Sequence, residues 1–425
     1  MHRFKLSATT AMTVAISLAS GFTLAVDGSS NQTNNSEAGD YPTIAAAIKG
    51  GSAELDFRLR HEEVDVDNMS EDEARALTLR TRVNYTTGRF EGIGISVEMD
   101  NITEIDGNDY PTSPALKNTG NFPGRTVIAD PEGTEINQAH ISYSYGDTLS
   151  KYGRQRINLD NQRFVGGVGF RQNEQTFDAF SIEHTCTAAD TKFYYAHINN
   201  VNRIFGEDDP TLSDTDSSSE IVNINYSGLT AGDIIFYSYL LDEKLTDTQY
   251  DTYGLRFSGE TNGLGYQLEY ATQDRELADG SETEADYFLL EGSIDAAGAS
   301  FTLGFENLQS DNANYGFSTP LATGHKFQGW TDQFLNTPNE GLQDVYLSVG
   351  AKFDGIKLLA IYHDFKSDED NLSGDDDLGS ELGLLALKQF GDYTMSIKYA
   401  NYERGDSSFN KNDTEKLWLT VSGTF

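Results

Sequence analysis

From Ser52 onward the chain alternates. Ala53, Leu55, Phe57 and Leu59 take one parity, and Glu54, Asp56, Arg58, Arg60 and Glu62 take the other. A period of two places these sets on opposite faces of a β-strand, whereas a helix of 3.6 residues per turn would mix them. The pattern returns as Leu77, Leu79, Val83 and Tyr85 against Thr78, Arg80, Arg82 and Asn84, and as Ile93, Ile95, Val97 and Met99 against Ser96, Glu98 and Asp100. Similar runs continue to the last, Leu417, Leu419, Val421, Gly423 and Phe425. The spacing predicts eighteen strands, near 52–62, 74–86, 91–101, 135–146, 150–158, 174–185, 190–199, 219–228, 232–242, 250–260, 264–274, 284–295, 299–309, 342–353, 356–367, 380–390, 392–404 and 414–425. Many exceed the five or six residues usual in soluble sheets. They are long enough to cross a bilayer at a tilt.

The connections alternate in length. Short turns fall at Thr87–Phe90, Asp147–Leu149, Cys186–Ala189, Leu229–Ala231, Thr261–Gly263, Ala296–Gly298, Asp354–Gly355 and Gly391, and every other connection is longer. Two, Ile102–Thr134 and Ser310–Gly341, exceed thirty residues. Short periplasmic turns alternating with long external loops are the mark of a transmembrane β-barrel. The fold class expected is therefore all-β, one closed antiparallel transmembrane barrel of about eighteen strands over residues 51–425. Leu55, Phe57, Leu79, Val97, Leu255, Ile397 and Leu419 should face lipid.

The first residues read differently. His2, Arg3 and Lys5 precede an apolar stretch from Ala11 to Leu24 that ends in Thr23-Leu24-Ala25. This is the layout of a secretory signal peptide, expected over residues 1–25. Residues 26–50 form a periplasmic lead-in, whose Tyr41–Gly50 segment is a candidate to enter the pore. No other stretch of 18 apolar residues exists, which excludes a helical membrane protein.

Composition narrows the function. The 425 residues carry 67 acidic and 30 basic side chains, a net charge of −37, which excludes a general nucleic-acid binder. With 22 Tyr and 24 Phe, the chain is too aromatic for a disordered acidic one. The single cysteine, Cys186, allows no internal disulfide, and no cofactor motif is present. Gly166, Gly167 and Gly169 lack the strand–helix context of a dinucleotide loop.

Arginine is concentrated early: of 16 residues, 12 lie between Arg58 and Arg203. Arg58/Arg60, Arg80/Arg82 and Arg154/Arg156 are spaced i, i+2, so each pair shares a face, here opposite the apolar one. In a barrel that face is the lumen. All three pairs should lie near mid-height, with Arg163 and Arg171 in a connection able to fold back towards the pore. Such a cluster suits an anion-selective constriction, because guanidinium is permanently charged and binds carboxylates bidentately. The alternative is a structural ladder against Glu54, Asp56, Glu62, Glu98 and Asp100.

The run Gly153-Arg154-Gln155-Arg156-Ile157-Asn158-Leu159-Asp160-Asn161-Gln162-Arg163-Phe164-Val165-Gly166, continued by Arg171-Gln172-Asn173-Glu174-Gln175-Thr176-Phe177-Asp178, resembles the bacterial alginate-export family of outer-membrane proteins. Ala129–Ala139 and Asn200–Gly206 resemble the same group. The resemblance implies a monomeric eighteen-stranded barrel whose basic lumen passes an anionic uronate polysaccharide, and it carries a pore role to Arg154, Arg156, Arg163 and Arg171. Expected partners are outer-membrane lipid, lipopolysaccharide, an anionic oligo- or polysaccharide, and the barrel-assembly machinery through a terminal signal at Phe425. The competing readings are a general porin with a structural Arg–carboxylate ladder, an outer-membrane barrel hydrolase, and an adhesion or structural barrel with a plugged lumen and no conductance. The hydrolase would need a Ser–His pair near a rim, and His61 is the nearest candidate.

Overall fold

The computed structural model describes residues 39–67, 74–107, 110–117 and 125–425. The expected signal peptide, residues 1–25, lies outside the described residues. From Ser52 the chain forms eighteen antiparallel strands, each paired with its sequence neighbours, and β1 (Ser52–Val66) pairs with β18 (Thr414–Thr424) to close the sheet on itself. Closure leaves no unpaired edge, the condition for a sheet to sit in lipid.

The strands that position the site are β2 (Ala74–Thr86), β3 (Ile93–Glu104), β4 (Gly133–Tyr145), β5 (Thr148–Gln155), β6 (Thr176–Cys186), β7 (Thr191–Asn202), β8 (Asp214–Leu229), β9 (Gly232–Glu243), β10 (Thr248–Thr261), β11 (Leu264–Glu276), β12 (Glu282–Ala296), β13 (Ala299–Leu308) and β14 (Leu342–Phe353). Both β2 and β14 have the bounds their alternation predicts. β8 begins at Asp214, before the expected 219, because Asp214–Ser219 stands beyond the apolar belt and alternation fades where no lipid selects it. β5 ends at Gln155 and not at 158, a difference that matters below.

Parity is as predicted on the lipid side. Leu55, Val97, Leu255, Ile397 and Leu419 are 42–55% exposed on the outer face, while Arg58, Arg60, Arg80 and Arg82 point inward at 3%. A single β1 strand thus carries lipid contact and lumen chemistry on alternate residues.

The Tyr41–Gly50 segment does not enter the pore. It forms a short helix, α1 (Ile44–Lys49), started by Thr43, whose Oγ1 accepts from the Ala46 N–H. The segment is fixed to the β2–β3 turn: the Tyr41 N–H donates to Arg89 O at 2.8 Å and the Gly88 N–H to Ala47 O at 2.9 Å.

Besides the β3–β4 connection, whose Tyr110 and Ile128 pack on Val64, Ala74 and Ala76, two connections among the described residues fold deep into the barrel. One, residues 156–175, joins β5 to β6; the other, residues 309–341, joins β13 to β14. They pair with each other through a parallel bridge between Val165 and Leu321, the Gly166 N–H donating to Leu321 O at 2.9 Å. Phe164 and Phe317 then pack among the inward rings of Tyr237, Tyr239 and Tyr287, with Phe164 centred 5.0 Å from Tyr237 and 5.4 Å from Tyr287. Such apolar side chains facing a lumen are unstable unless covered, and the inserted connections cover them.

Candidate functional site

The β1–β3 wall supplies the charged face. Arg58 lies directly opposite Arg80 in the ladder and Arg82 opposite Asp100. Like charges in register are unfavourable, so partners must come from elsewhere. Arg82 binds Asp100 bidentately, at 2.6 Å to each oxygen, and reaches Glu174 at 2.7 Å. Glu174 also takes Arg156 Nε at 2.5 Å, and Arg156 Nη2 reaches Glu98 at 2.8 Å. Arg80 pairs with Asp56 at 2.6 Å. Burial pushes the Glu174 carboxyl upward, but Arg156, then Arg82 and Arg80, outweigh it and hold the group well below the usual carboxylate range.

Further out, the wall arginines grip the inserted backbone. Arg58 donates to the Gln172 side chain at 2.9 Å, to Gly169 O at 2.8 Å and to Arg171 O. Arg60 donates to Phe170 O at 2.6 Å and lies over the Phe170 ring, 4.2 Å from its centre. Arg171 joins Glu62 at 3.0 Å to Asp332 at 3.1 Å, and Lys416 meets Asp332 at 2.8 Å. Arg163 pairs with Glu306 at 2.7 Å.

Seven of the eight arginines expected at the pore therefore do lie inside the barrel. Six of them, Arg58, Arg60, Arg80, Arg82, Arg163 and Arg171, are at most 6% exposed and hold the inserted connections to the wall. Asp56, Glu62, Glu98, Asp100, Asp130, Glu174, Glu306 and Asp332 surround them. This arrangement is the Arg–carboxylate ladder. It leaves little guanidinium surface for a solute.

Arg154 is elsewhere, against expectation. It shares the parity of Tyr152, which is 65% exposed on the outer face. Its guanidinium pairs with Asp178 at 2.9 Å and donates to the carbonyl of Ile136, a lipid-facing residue. Strand β5 stops at Gln155, so Arg156 is no longer bound to strand parity and turns into the lumen. Spacing i, i+2 fixes a shared face only where both residues lie in one strand, and Tyr152 was the signal for the correct face.

Between the ladder and β9 an open cavity of about 340 Å³ remains. Lys151, Arg156 and Lys192 line it together with Asn158, Asp160, Glu183, Asn223 and Asn225. Lys192 is paired with Glu183 at 2.9 Å, and Asp160 accepts from Asn223 at 2.7 Å. Lys151, on the inward parity of β5, makes no hydrogen bond or ion pair among the described residues. Lys151 has no basic residue two positions away, so the pattern of paired arginines does not include it. Its parity with Gln155 was the available signal.

His61, the hydrolase candidate, faces outward and turns to Glu63 at 3.5 Å and not to a serine. Among the described residues no cluster of metal-binding side chains occurs.

No family model matches this chain, so the expected alginate-export membership gains no support, and no curated protein matches it by sequence. Solved structures do match. OccK9 (OpdG) of Pseudomonas aeruginosa superposes with a TM-score of 0.67 at 15% identity, covering 89% of this chain and 99% of that one. OccAB2 of Acinetobacter baumannii gives 0.67 at 14%, with the same coverage. OpdK of Pseudomonas aeruginosa, solved with vanillate, gives 0.66 at 11%, again covering 89% and 99%. The chain shares the fold of the Occ outer-membrane channels. The common architecture with its exposed apolar belt is that of a bacterial outer-membrane barrel.

Proposed function

We propose that this barrel is a passive, substrate-selective channel for small carboxylate-bearing solutes such as uronic acids. The observation that carries the reading is the cavity at Lys151 and Arg156, beside a lumen otherwise occupied by the two inserted connections. Its 340 Å³ lies within the range of about 300–1,000 Å³ typical of small-molecule sites. That size favours one small solute over a polysaccharide chain. Lys151 supplies a point charge that is attracted by Glu183 but not held by a hydrogen bond or close ion pair among the described residues, and the asparagine side chains offer hydrogen bonds to hydroxyls. Binding of this kind is weak enough for release, as conduction requires. The vanillate bound to OpdK is itself a carboxylate, which supports the class and not the identity of the cargo.

In this reading the arginines divide their work. Arg58, Arg60, Arg80, Arg82, Arg163 and Arg171 shape the constriction by holding its backbone, and Arg156 with Lys151 faces the solute. The test is planar-bilayer recording across a salt gradient with added glucuronate or glucose. The expected result is anion preference and current block by glucuronate alone. Cation preference, or equal block by both sugars, would overturn it.

A further inference from the structure

We infer that helix α1 is a membrane-surface anchor, its Ile44/Ile48 face seated in the periplasmic leaflet of the outer membrane beside β1–β3. The inference depends on the barrel standing in a membrane and not on what passes through it.

The placement starts from Tyr85. On β2 it has the parity of Leu77, Leu79 and Val83, the lipid-facing set. Its hydroxyl donates to Ile48 O. This outward side chain, one residue from the end of β2, meets α1, so the helix sits at the rim toward the outer face and not inside the lumen. The Asp40 carboxylate accepts from the Gly92 N–H at 3.2 Å, which with the Tyr41 and Gly88 backbone bonds fixes the segment at the periplasmic rim. The Tyr41 ring locks it there. It is lodged between Gly50 and Gly88, where an added Cβ would come within 2.1 Å and 2.2 Å of the ring.

Among the described residues nothing covers one apolar face of the helix. Ala47 is buried against the rim, while Ile44 and Ile48 are 63% and 51% exposed. Spaced i, i+4, they lie one above the other on a single face. Lys49 follows them at the C-terminal end, where a cation complements both the helix carbonyls and lipid phosphate. The adjoining outward residues are Ile93, Tyr143 and Tyr145, at 43%, 49% and 76% exposed. These form the lower border of the apolar belt, and tyrosine is characteristic of the membrane–water interface. The isoleucine face therefore continues a surface that already meets lipid. A six-residue helix has too little area to bind a membrane by itself. Here the Tyr41 and Gly88 contacts hold it at the surface, so no independent affinity is required.

The experiment uses the full chain in lipid nanodiscs, with Cys186→Ser removing the native thiol. Ile44→Cys and Ile48→Cys carry an environment-sensitive fluorophore, and Asp147→Cys on the β4–β5 turn is the aqueous control. The 44 and 48 labels should emit to the blue of the control. Phospholipid brominated in the acyl chain should quench them, and iodide should not. Quenching by iodide alone would overturn the proposal, and so would shielding from both quenchers, which would mean a protein covering. As a second readout, Ile44→Asp/Ile48→Asp in the unlabelled protein should make tryptic cleavage after Lys49 severalfold faster, without altering the heat-dependent gel shift of the folded barrel. Equal cleavage rates in the two proteins would count against the anchor. Ion selectivity should be unchanged in that variant, so loss of the channel reading and loss of the anchor are separable.

Discussion

Replacing Glu174 by Gln keeps the shape of the side chain and removes one buried charge. Glu174 is 3% exposed and is contacted by Arg82 at 2.7 Å and Arg156 at 2.5 Å. At a charge separation of about 4 Å and an effective dielectric constant of about 20, each pair is worth about 4 kcal/mol of Coulomb attraction. Two such pairs are lost, while several kcal/mol spent on burying the carboxylate are recovered. The net cost is about 3–5 kcal/mol, in line with breaking other buried ion pairs. That cost falls on the seating of the 156–175 connection, because the strands keep all their ladder bonds. Arg156 would retain Glu98 but lose its Nε partner, leaving more of its charge to the adjoining cavity. Glu174→Gln should therefore form a normal heat-modifiable barrel with noisier single-channel current and a stronger anion preference, read as the reversal potential in a salt gradient. A quiet channel with unchanged selectivity would refute both the clamp role of Glu174 and the exposure of Arg156 to solute.

Further predictions use similar assays. Lys151→Gln should lower anion preference by about 1 kcal/mol, or about fivefold, for a charge about 4 Å from a solute in water-like surroundings, whereas Arg154→Ser should leave selectivity unchanged because its guanidinium lies outside the lumen. Leu255→Lys, at 52% exposed in the middle of β10, should cost about 2–4 kcal/mol in denaturant unfolding from lipid; no cost would mean that this face does not meet hydrocarbon. The clamp should also resist acid. Asp332, like Glu174, is pushed up by burial but held well below the carboxylate range, by Lys416 first, then His325 and Arg171. A depressed folded value gives stability that is fully present above the ordinary carboxylate pKa and is lost progressively as pH falls from there through the lower, folded one. Current noise should thus stay constant from pH 7 down to the ordinary carboxylate range and rise only below it, and a rise above that range would contradict the depression.

The barrel was legible because lipid imposes a constant rule on every strand. A lipid-facing residue must be apolar at each second position, so Leu79 and Leu255 announced their orientation without knowledge of the neighbours. The inserted connections follow no such rule. Arg163 and Arg171 suggested a return towards the pore through charge alone, but nothing in residues 309–341 announced that Leu321 would meet Val165. Contacts between two loops are set by complementarity and not by period. The role of the arginines was half visible for the same reason. Parity placed Arg58, Arg60, Arg80 and Arg82 in the lumen, yet whether the guanidinium of Arg58 or Arg60 greets a solute or a carbonyl depends on Gly169, Phe170 and Gln172, more than a hundred residues away. Arg154 and Arg156 show how local the rule is, since a strand that ends at Gln155 keeps Arg154 on the outer face and lets Arg156 turn into the lumen.

The chain formed by Glu62, Arg171, Asp332 and Lys416 has a bearing on assembly. Glu62 belongs to β1 and Lys416 to β18, the first and last strands, whose meeting completes the circle. Phe170 repeats the span, lying under Arg60 of β1 and against Trp418 of β18, 5.7 Å between ring centres. The inserted connections are thus fastened across the seam at which the barrel shuts. The span cannot be complete while the seam is open, because its two anchors are then on separate edges. It is completed only when β1 meets β18, and it then acts as a latch that resists reopening. Weakening the latch by Arg171→Met should therefore leave the rate of closure intact and raise the rate at which the finished barrel comes apart.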